Sequence, residues 1–285
     1  MVKARRTWVS GRLPRLLLVV GLLLTAVPFA PPAAAAIAWQ SAGEMQVARA
    51  GHTMTMLPNG RVLVTGGADI AGGVLRYLAS VEIYNPATGI WTARASMRVG
   101  RLAHTATLLN DGTVLVAGGE ARDPTGVAAP VRSTEIYDPT SNTWMAGPDM
   151  LSTRRDHTAV LLTSGDVFIA GSSNDIDAGA LAERYDPVAG EWVAAAPMAL
   201  PRFGHTTTLL DDGSVLVAGG AADNSAERYL PNTNMWLGAG TMSAQRFEAT
   251  ATRLLNGHVL VAGGLSDGTP IANAERYDPD TNAWS

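Results

Sequence analysis

An arginine followed three residues later by a histidine recurs four times in this chain. The pairs are Arg49/His52, Arg101/His104, Arg154/His157 and Arg202/His205, and a fifth arginine, Arg246, has Ala249 at the histidine position. Guanidinium groups bind carboxylates and phosphates through paired hydrogen bonds. Five such arginines on one surface would suit an acidic peptide or another anionic ligand, and we take all five as candidate ligand-binding residues. The alternative is that each arginine pairs with an acid of its own or a neighbouring repeat, because a residue present in every repeat is commonly structural.

Metal and cofactor chemistry has little support in the sequence. Four equivalent histidines in separate repeats lie too far apart to meet at one ion, which needs ligand distances of about 2.0–2.1 Å. Cysteine is absent, so disulfides, thiolate metal sites and cysteine nucleophiles are excluded. No P-loop, dinucleotide-binding fingerprint, serine elbow or carboxylate-rich calcium loop occurs. We therefore predict no catalytic residue, no metal site and no cofactor.

A few acids fall in segments that differ from repeat to repeat. Asp69, Asp123 and Asp175 are three of them, and we take them as further candidate ligand-binding residues because variable loops on a rigid scaffold commonly carry binding functions. Glu120 and Asp177 are other acids of this kind. No two of these acids form a recognisable catalytic motif.

The elements that position these residues repeat about every 50 residues. Successive tryptophans lie 52, 53, 48, 44 and 48 residues apart, at Trp39, Trp91, Trp144, Trp192, Trp236 and Trp284. Such a period indicates an array of similar structural units. Five complete units span approximately residues 45–91, 97–144, 150–192, 198–236 and 242–284.

Each unit is predicted to form four short strands, which we name a to d. Strand a is an HTATLL-like run, at 104–109 in the second unit, and a two-residue Asn-Gly or Asp-Gly turn leads into strand b. Strand b is VLVAGG or a close copy, and its continuous apolar run predicts burial on both faces. Strand c ends in Tyr-Asp-Pro or a variant, and strand d carries the tryptophan. The repeated structural residues are Gly66, Gly67, Gly118, Gly119, Gly219, Gly220, Gly263, Gly264, Tyr84, Tyr137, Tyr185, Tyr229, Tyr277, Trp91, Trp144, Trp192, Trp236 and Trp284.

A Gly-Gly pair after an apolar strand, then a Tyr-Asp-Pro strand, then a tryptophan, resembles the kelch repeat. The resemblance covers residues 39–285 and implies an all-β propeller in which each repeat is one four-stranded antiparallel blade. It also implies the fold, though not the activity, of the central domain of galactose oxidase. Residues around Trp39 are predicted to form an extra N-terminal strand d. The five blades either close on themselves or form part of a six- or seven-bladed ring, and we favour the larger ring.

An antiparallel order places the connections between strands on two faces. The b–c connections and the segments that lead from strand d to the next strand a share one face, which we name the loop face; the tight a–b and c–d turns share the opposite turn face. In kelch proteins that recognise peptides or other proteins, the loop face is often the binding face. The b–c connections span residues 68–80, 120–134, 173–182, 221–226 and 265–274.

The N-terminus predicts export. Five basic residues and no acid precede an apolar run at 16–30 and an alanine-rich site, which is typical of a secretory signal peptide over residues 1–36. The alternative is an uncleaved anchor, although the apolar run is shorter than the roughly 20 residues of a spanning helix. Cleavage would leave a propeller domain over 37–285 with 16 basic and 25 acidic residues, a net charge of −9, which disfavours nucleic-acid binding. We predict a secreted, periplasmic or cell-surface monomer without a membrane span after cleavage.

The predicted function is that of a non-enzymatic interaction module for a protein, peptide or glycan ligand, bound on the loop face. The alternative is a carbohydrate-active enzyme on the same fold, similar to a sugar mutarotase or epimerase, which would need loop acids at the channel mouth. The copper-radical chemistry of galactose oxidase relatives requires a tyrosine cross-linked to cysteine. This sequence has no cysteine, so that cofactor cannot form.

Overall fold

The described part of the chain is built from β-strands. The computed structural model describes residues 41–123, 125–172 and 179–285, which form 27 strands. Residues 1–36 and Trp39 lie outside the described residues, so the signal peptide and the extra N-terminal strand stay predictions. Among the described residues, no helix has the length and apolar character needed to cross a membrane.

Twenty of the strands form five antiparallel sheets, which we number blades 1 to 5, each with its strands in the order a-b-c-d. Blade 1 consists of β1 (Thr53–Met56), β2 (Val62–Thr65), β5 (Val81–Asn85) and β6 (Ile90–Arg94). Blade 2 consists of β8 (Thr105–Leu108), β9 (Val114–Ala117), β12 (Thr134–Asp138) and β13 (Thr143–Ala146). Blade 3 consists of β14 (Thr158–Leu161), β15 (Val167–Ala170), β16 (Ala182–Asp186) and β17 (Glu191–Ala195).

The last two blades follow the same order. Blade 4 consists of β18 (Thr206–Leu209), β19 (Val215–Ala218), β20 (Ser225–Leu230) and β21 (Met235–Thr241). Blade 5 consists of β22 (Thr250–Arg253), β23 (Val259–Ala262), β26 (Ala274–Asp278) and β27 (Ala283–Trp284). The five-unit, four-strand prediction for the described residues is therefore confirmed.

The turn between strands a and b differs from the prediction. In blade 1 the Leu57 N–H donates to the Arg61 carbonyl at 2.8 Å and the Gly60 N–H donates to the Leu57 carbonyl at 2.9 Å, so the connection is longer than two residues. Only the glycine has a positive φ, +76° at Gly60, whereas a two-residue type I′ turn needs two such residues. Asn59 instead accepts a hydrogen bond from the Arg61 N–H at 3.1 Å, the usual way for asparagine to stabilise a turn.

Apolar cores fill the spaces between consecutive blades. Between blades 1 and 2, for example, Leu63 packs with Val114, Val116 and Tyr137, all of them buried. Equivalent clusters lie between blades 2 and 3, 3 and 4, and 4 and 5. Strand b is buried on both faces in blades 2, 3 and 4, as its continuous apolar run predicts.

The Gly-Gly pair of blade 2 lies in close contact with neighbouring backbone. A Cβ on Gly118 would lie 2.7 Å from the Arg154 carbonyl oxygen of the next blade, and a Cβ on Gly119 would lie 2.5 Å from the Leu102 carbonyl of its own blade. The Gly119 N–H donates to the Arg154 carbonyl at 2.7 Å. Both glycines also have a positive φ, so sterics and backbone conformation each require glycine here.

The tyrosine and tryptophan of each blade pack as a pair at the outer strands. Their ring centroids are 4.9 Å apart for Tyr137 and Trp144. The Trp144 indole N–H donates to the Ala95 carbonyl of the preceding unit at 2.8 Å, and the Tyr137 hydroxyl is 2.9 Å from Asn142 Oδ1. The aromatic pair thus joins the blades, as the repeat pattern predicts.

One face of blade 1 and one face of blade 5 are more exposed than the corresponding faces of the other blades. Leu260 of blade 5 is 37 % exposed, whereas Leu216 at the same position of blade 4 is 1 % exposed. In blade 1, Met54 and Met56 are exposed, and Tyr84 is half-buried while the other strand-c tyrosines are buried. The number of blades in the complete ring stays a prediction.

The loop face contains additional small sheets. In blade 1, β3 (Ala68–Ala71) pairs with β4 (Val74–Tyr77). In blade 2, β10 (Glu120–Arg122) pairs with β11 (Ala128–Pro130) and with β7 (Arg101–Leu102). In blade 5, β24 (Leu265–Ser266) pairs with β25 (Thr269–Pro270). The b–c connections of these blades are therefore hairpins, a feature that the sequence analysis did not predict.

Candidate functional site

The repeated arginines are interior structural residues. The side chains of Arg49, Arg101, Arg154, Arg202 and Arg246 are 0 % exposed, and each forms an ion pair with the strand-c glutamate of its own blade at 2.7–3.0 Å. The assignment of these five arginines as ligand-binding residues is therefore corrected. Their guanidinium groups bind the protein itself, which is the alternative that the sequence left open.

Blade 3 shows how the arginine is held. Arg154 donates through Nε and Nη2 to Glu183 Oε1 at 3.1 and 2.8 Å, and through Nη1 to the Gly171 and Leu181 carbonyls at 2.9 and 2.8 Å. The other carboxylate oxygen, Oε2, accepts the Leu151 N–H at 2.7 Å. The pair thus fastens the segment that enters the blade to strands b and c, and a buried charge with this many partners is well compensated.

The repeated histidines are also interior. His104 Nε2 lies 3.0 Å from Thr53 Oγ1 of the preceding blade, and His157 Nε2 lies 3.0 Å from Thr105 Oγ1. Burial, with a smaller effect from the adjacent arginine, lowers the pKa of His104 and of His205 to about 3 and lowers the pKa of His157 well below its ordinary value. These rings are therefore neutral at physiological pH and link neighbouring blades.

Two of the candidate loop acids, Asp69 and Asp123, form ion pairs or hydrogen bonds within their own loops. Asp69 pairs with Arg76, whose hydrogen bond lowers the pKa of Asp69. Asp123 accepts hydrogen bonds from Thr125 and from the Val127 N–H, and these bonds stabilise the β10–β11 turn. Asp175 lies outside the described residues. For Asp69 and Asp123, a turn or hairpin role therefore accounts for the observed contacts.

A cluster on the loop face joins three blades through Glu120. The Tyr77 hydroxyl of blade 1 donates to Glu120 Oε1, and Arg155, which precedes strand a of blade 3, pairs with Glu120 Oε2. Burial, and then the hydrogen bond to Glu120, raise the pKa of Tyr77. Both oxygens of Glu120 are occupied, which disfavours a role for this acid as a free general base.

An aromatic pair stands on the loop face beside two of the buried arginines. Phe203 and Phe247 each follow the repeated arginine directly, in blades 4 and 5, and their ring centroids are 5.1 Å apart. Phe203 is 46 % exposed, Phe247 is half-buried, and Glu248 beside it is exposed. This pair was not predicted from the sequence. The signal was present, because the same position in blades 1 to 3 holds Ala50, Leu102 and Arg155, so the two phenylalanines are not part of the repeat.

The backbone around the pair is firmly held. The Phe203 N–H donates to the Gly220 carbonyl at 3.0 Å, and the Phe247 N–H donates to the Leu265 carbonyl at 2.9 Å. The next residues, Gly204 and Glu248, have positive φ angles of +58° and +55°, and the Glu248 N–H donates to the Gly204 carbonyl at 2.7 Å. The two rings therefore extend from a fixed main chain that joins blades 4 and 5.

Within residues 41–123, 125–172 and 179–285, no three histidine, cysteine, aspartate or glutamate side chains are grouped so that they could hold a metal ion. The prediction of no cofactor stays a prediction.

Comparison with known proteins now identifies the repeat. The Kelch motif family model matches residues 48–98, 101–151 and 250–285. The chain carries kelch repeats. The chain is similar to alpha-scruin of Limulus polyphemus, at 31 % identity over half of the chain. It is also similar to human Kelch-like protein 15, at 38 % identity over 28 % of the chain. The matched regions are 15 % and 14 % of those relatives' lengths.

Two solved structures share the fold of this chain. A fungal alcohol oxidase of the AA5 family in complex with copper has a TM-score of 0.67 at 21 % identity, covering 82 % of this chain and 52 % of the oxidase. The structure of YjhT has a TM-score of 0.67 at 16 % identity and covers 83 % of each chain. At these identities the likeness shows the propeller fold alone. The kelch-type all-β propeller predicted from the sequence is confirmed.

Proposed function

We propose that this kelch propeller is an exported, non-enzymatic interaction module that binds a protein, peptide or glycan partner on its loop face. Phe203 and Phe247 form the anchor of the proposed binding surface. Kelch-repeat proteins generally mediate protein interactions, which supports the class of function. The single observation that carries the location is the non-repeated aromatic pair, in which Phe203 is exposed and Phe247 is half-buried.

The energetics favour contact with a partner. A phenylalanine side chain offers roughly 150–250 Å² of surface, and each apolar Å² removed from water contributes about 25 cal/mol. Covering the exposed half of Phe203 alone would therefore contribute about 2–3 kcal/mol. Aromatic residues in such positions are typical anchors of interfaces, and a rigid main chain lowers the entropic cost of binding.

The test is a paired screen of a random 12-residue display library and a glycan array. We compare the wild-type protein with Phe203→Ser/Phe247→Ser and with the control Val188→Ser, which removes an apolar side chain that is 96 % exposed on the turn face. We expect ligands recovered by the wild-type protein to bind the double variant at least ~30-fold more weakly, in line with the loss of about 2–3 kcal/mol. The control should retain its affinity, and both variants should stay folded by circular dichroism.

Two results would count against the proposal. Equal affinity of the double variant and the control would remove the aromatic pair from the binding surface. Sugar mutarotation by the purified protein, lost on substitution of a single loop acid, would instead favour the enzymatic alternative.

A further inference from the structure

A second feature of the loop face is a groove between the hairpins of blades 1 and 2. The groove has a volume of about 650 Å³ and lies between strand β4, the segment at residues 98–100 and the end of β10. Three arginines line it: Arg76, Arg98 and Arg122. None of them belongs to the repeated, buried set.

These arginines keep donors for a ligand. Arg98 is exposed, and its guanidinium forms no ion pair with the residues that the structure describes. Arg76 is 57 % exposed and directs two of its five N–H donors to Asp69. Arg122 donates to the Gly126 and Leu75 carbonyls, and its guanidinium carbon lies 5.3 Å from the centre of the Tyr77 ring. The cation–π contact and the carbonyl bonds fix Arg122 without neutralising its charge.

The acids beside the groove already have ion-pair or hydrogen-bond partners. Asp69 is paired with Arg76. Asp123, which also lines the groove, accepts three hydrogen bonds from Thr125 and Val127, and these bonds lower its pKa. Three arginines beside the two ionised carboxylates of Asp69 and Asp123 leave an excess of one positive charge at the groove, on a chain whose net charge is negative, and such a contrast favours acidic partners.

The lining of the groove favours a peptide over a small anion. The edge of β4 away from β3 is covered, because the Leu75 carbonyl accepts a hydrogen bond from Arg122 and Gly100 lies against the Tyr77 carbonyl, so a ligand would meet side chains here. Val74 and Leu75 on β4 are 59 % and 40 % exposed. Leu75 also lines the adjoining groove on the other side of the hairpin, together with exposed Ile70. Apolar side chains next to arginines suit a segment that contains both acidic and apolar residues.

We propose that this groove binds a peptide segment of a partner protein that carries both acidic and apolar residues. Arg98 and Arg122 bind its carboxylates, and Leu75 contacts its apolar side chains. The groove lies on blades 1 and 2, whereas the aromatic pair lies on blades 4 and 5, so the two sites are independent of each other.

The experiment uses the full chain and a displayed library of random 12-residue peptides. Selection with the wild-type protein is compared with selection on Arg98→Glu/Arg122→Glu, and recovered peptides are synthesised and measured by fluorescence anisotropy. The matched control is Arg253→Gln, because Arg253 is another exposed arginine, paired with Asp211 at the turn-face end of blade 5. Each peptide is also tested with its Asp and Glu residues changed to Asn and Gln.

We expect selection on the wild-type protein to enrich acidic peptides and selection on Arg98→Glu/Arg122→Glu to lose that enrichment. Arg98→Gln should weaken binding of such a peptide about 5-fold, the range of a single exposed charge pair. The Arg98→Gln/Arg122→Gln protein should bind at least ~20-fold more weakly, and Arg253→Gln should match the wild type. Binding should also weaken between 0.05 and 0.5 M salt because exposed charges are screened.

The proposal is overturned if the recovered peptides are not acidic, or if their amide analogues bind equally well. It is also overturned if acidic peptides bind Arg98→Gln/Arg122→Gln as they bind the wild type. The same holds if Phe203→Ser/Phe247→Ser alone abolishes their binding. Retention of acidic-peptide binding by that aromatic variant separates this site from the one proposed above.

Discussion

The contact between the first glycine of the Gly-Gly pair and the next blade provides a direct test of the fold. Gly219 and Gly263 occupy the same position in blades 4 and 5, and both have a positive φ, +76° and +65°. A Cβ on Gly219 would lie 2.4 Å from the Arg246 carbonyl oxygen, whereas the nearest atom to a Cβ on Gly263 is the Ile271 carbonyl oxygen at 3.7 Å. Substitution by alanine therefore separates the cost of backbone conformation from the cost of the interblade contact.

The expected magnitudes follow from these distances. Both variants carry the cost of alanine at positive φ, about 1–2 kcal/mol. Gly219→Ala must also move a backbone carbonyl out of a contact far below van der Waals distance, and overpacking of this kind costs about 1–3 kcal/mol. The shift also strains the 2.7 Å hydrogen bond from the Gly220 N–H to that carbonyl. We expect Gly219→Ala to lower the free energy of unfolding by about 2–3 kcal/mol more than Gly263→Ala.

The measurement is urea unfolding followed by tryptophan fluorescence, with thermal unfolding by circular dichroism as a second probe. The difference should appear as a gap in Tm of about 4–12 °C between the two variants. Equal destabilisation would refute the reasoning, because it would mean that the interblade contact at Gly219 contributes nothing beyond the backbone conformation.

Two further predictions concern the buried ionisable groups. The pKa values of His104, His157 and His205 are lower in the folded than in the unfolded protein, so below pH 6.5 the unfolded chain binds more protons and stability falls as the pH decreases. Each histidine should remove about 2 kcal/mol between pH 7 and pH 5. Urea unfolding at the two pH values measures this loss, and a pH-independent stability would contradict the placement of the rings. Arg154→Met leaves a buried carboxylate unpaired and should lower the free energy of unfolding by about 3–5 kcal/mol. Arg253→Met removes an exposed pair and should lower it by less than about 1 kcal/mol. Similar losses in Tm for the two variants would argue against the buried pair.

The repeat made most of the fold predictable from the sequence. The glycine, tyrosine and tryptophan positions of each unit report the same local packing five times, so the pattern is stronger than any one element. The a–b turn was predicted incorrectly because Asn59-Gly60 fits two turn geometries. The longer one needs positive φ only at the glycine and lets the Asn59 side chain bond to the backbone.

The site was less predictable, and for a different reason. The type and spacing of the five arginines suit an anion site and an interior ion pair equally well, and only burial decides between them. Glu183, for example, meets Arg154 through a contact between segments 29 residues apart. Phe203 and Phe247 were missed because alignment of the repeats directs attention to positions that match, whereas these two stand at a position that does not.

That position also suggests how such a chain can acquire new partners. In all five units the main chain of the residue after the buried arginine is hydrogen-bonded or paired, as in the backbone pairing of Ala50 with Ala68 and of Leu102 with Glu120. The five copies nevertheless hold alanine, leucine, arginine and two phenylalanines. A selection experiment that randomises Ala50, Leu102 and Phe203 would therefore vary the proposed recognition surface while the interior ion pairs stay intact. Divergence of gene copies could proceed by the same route, with new specificity arising one blade at a time.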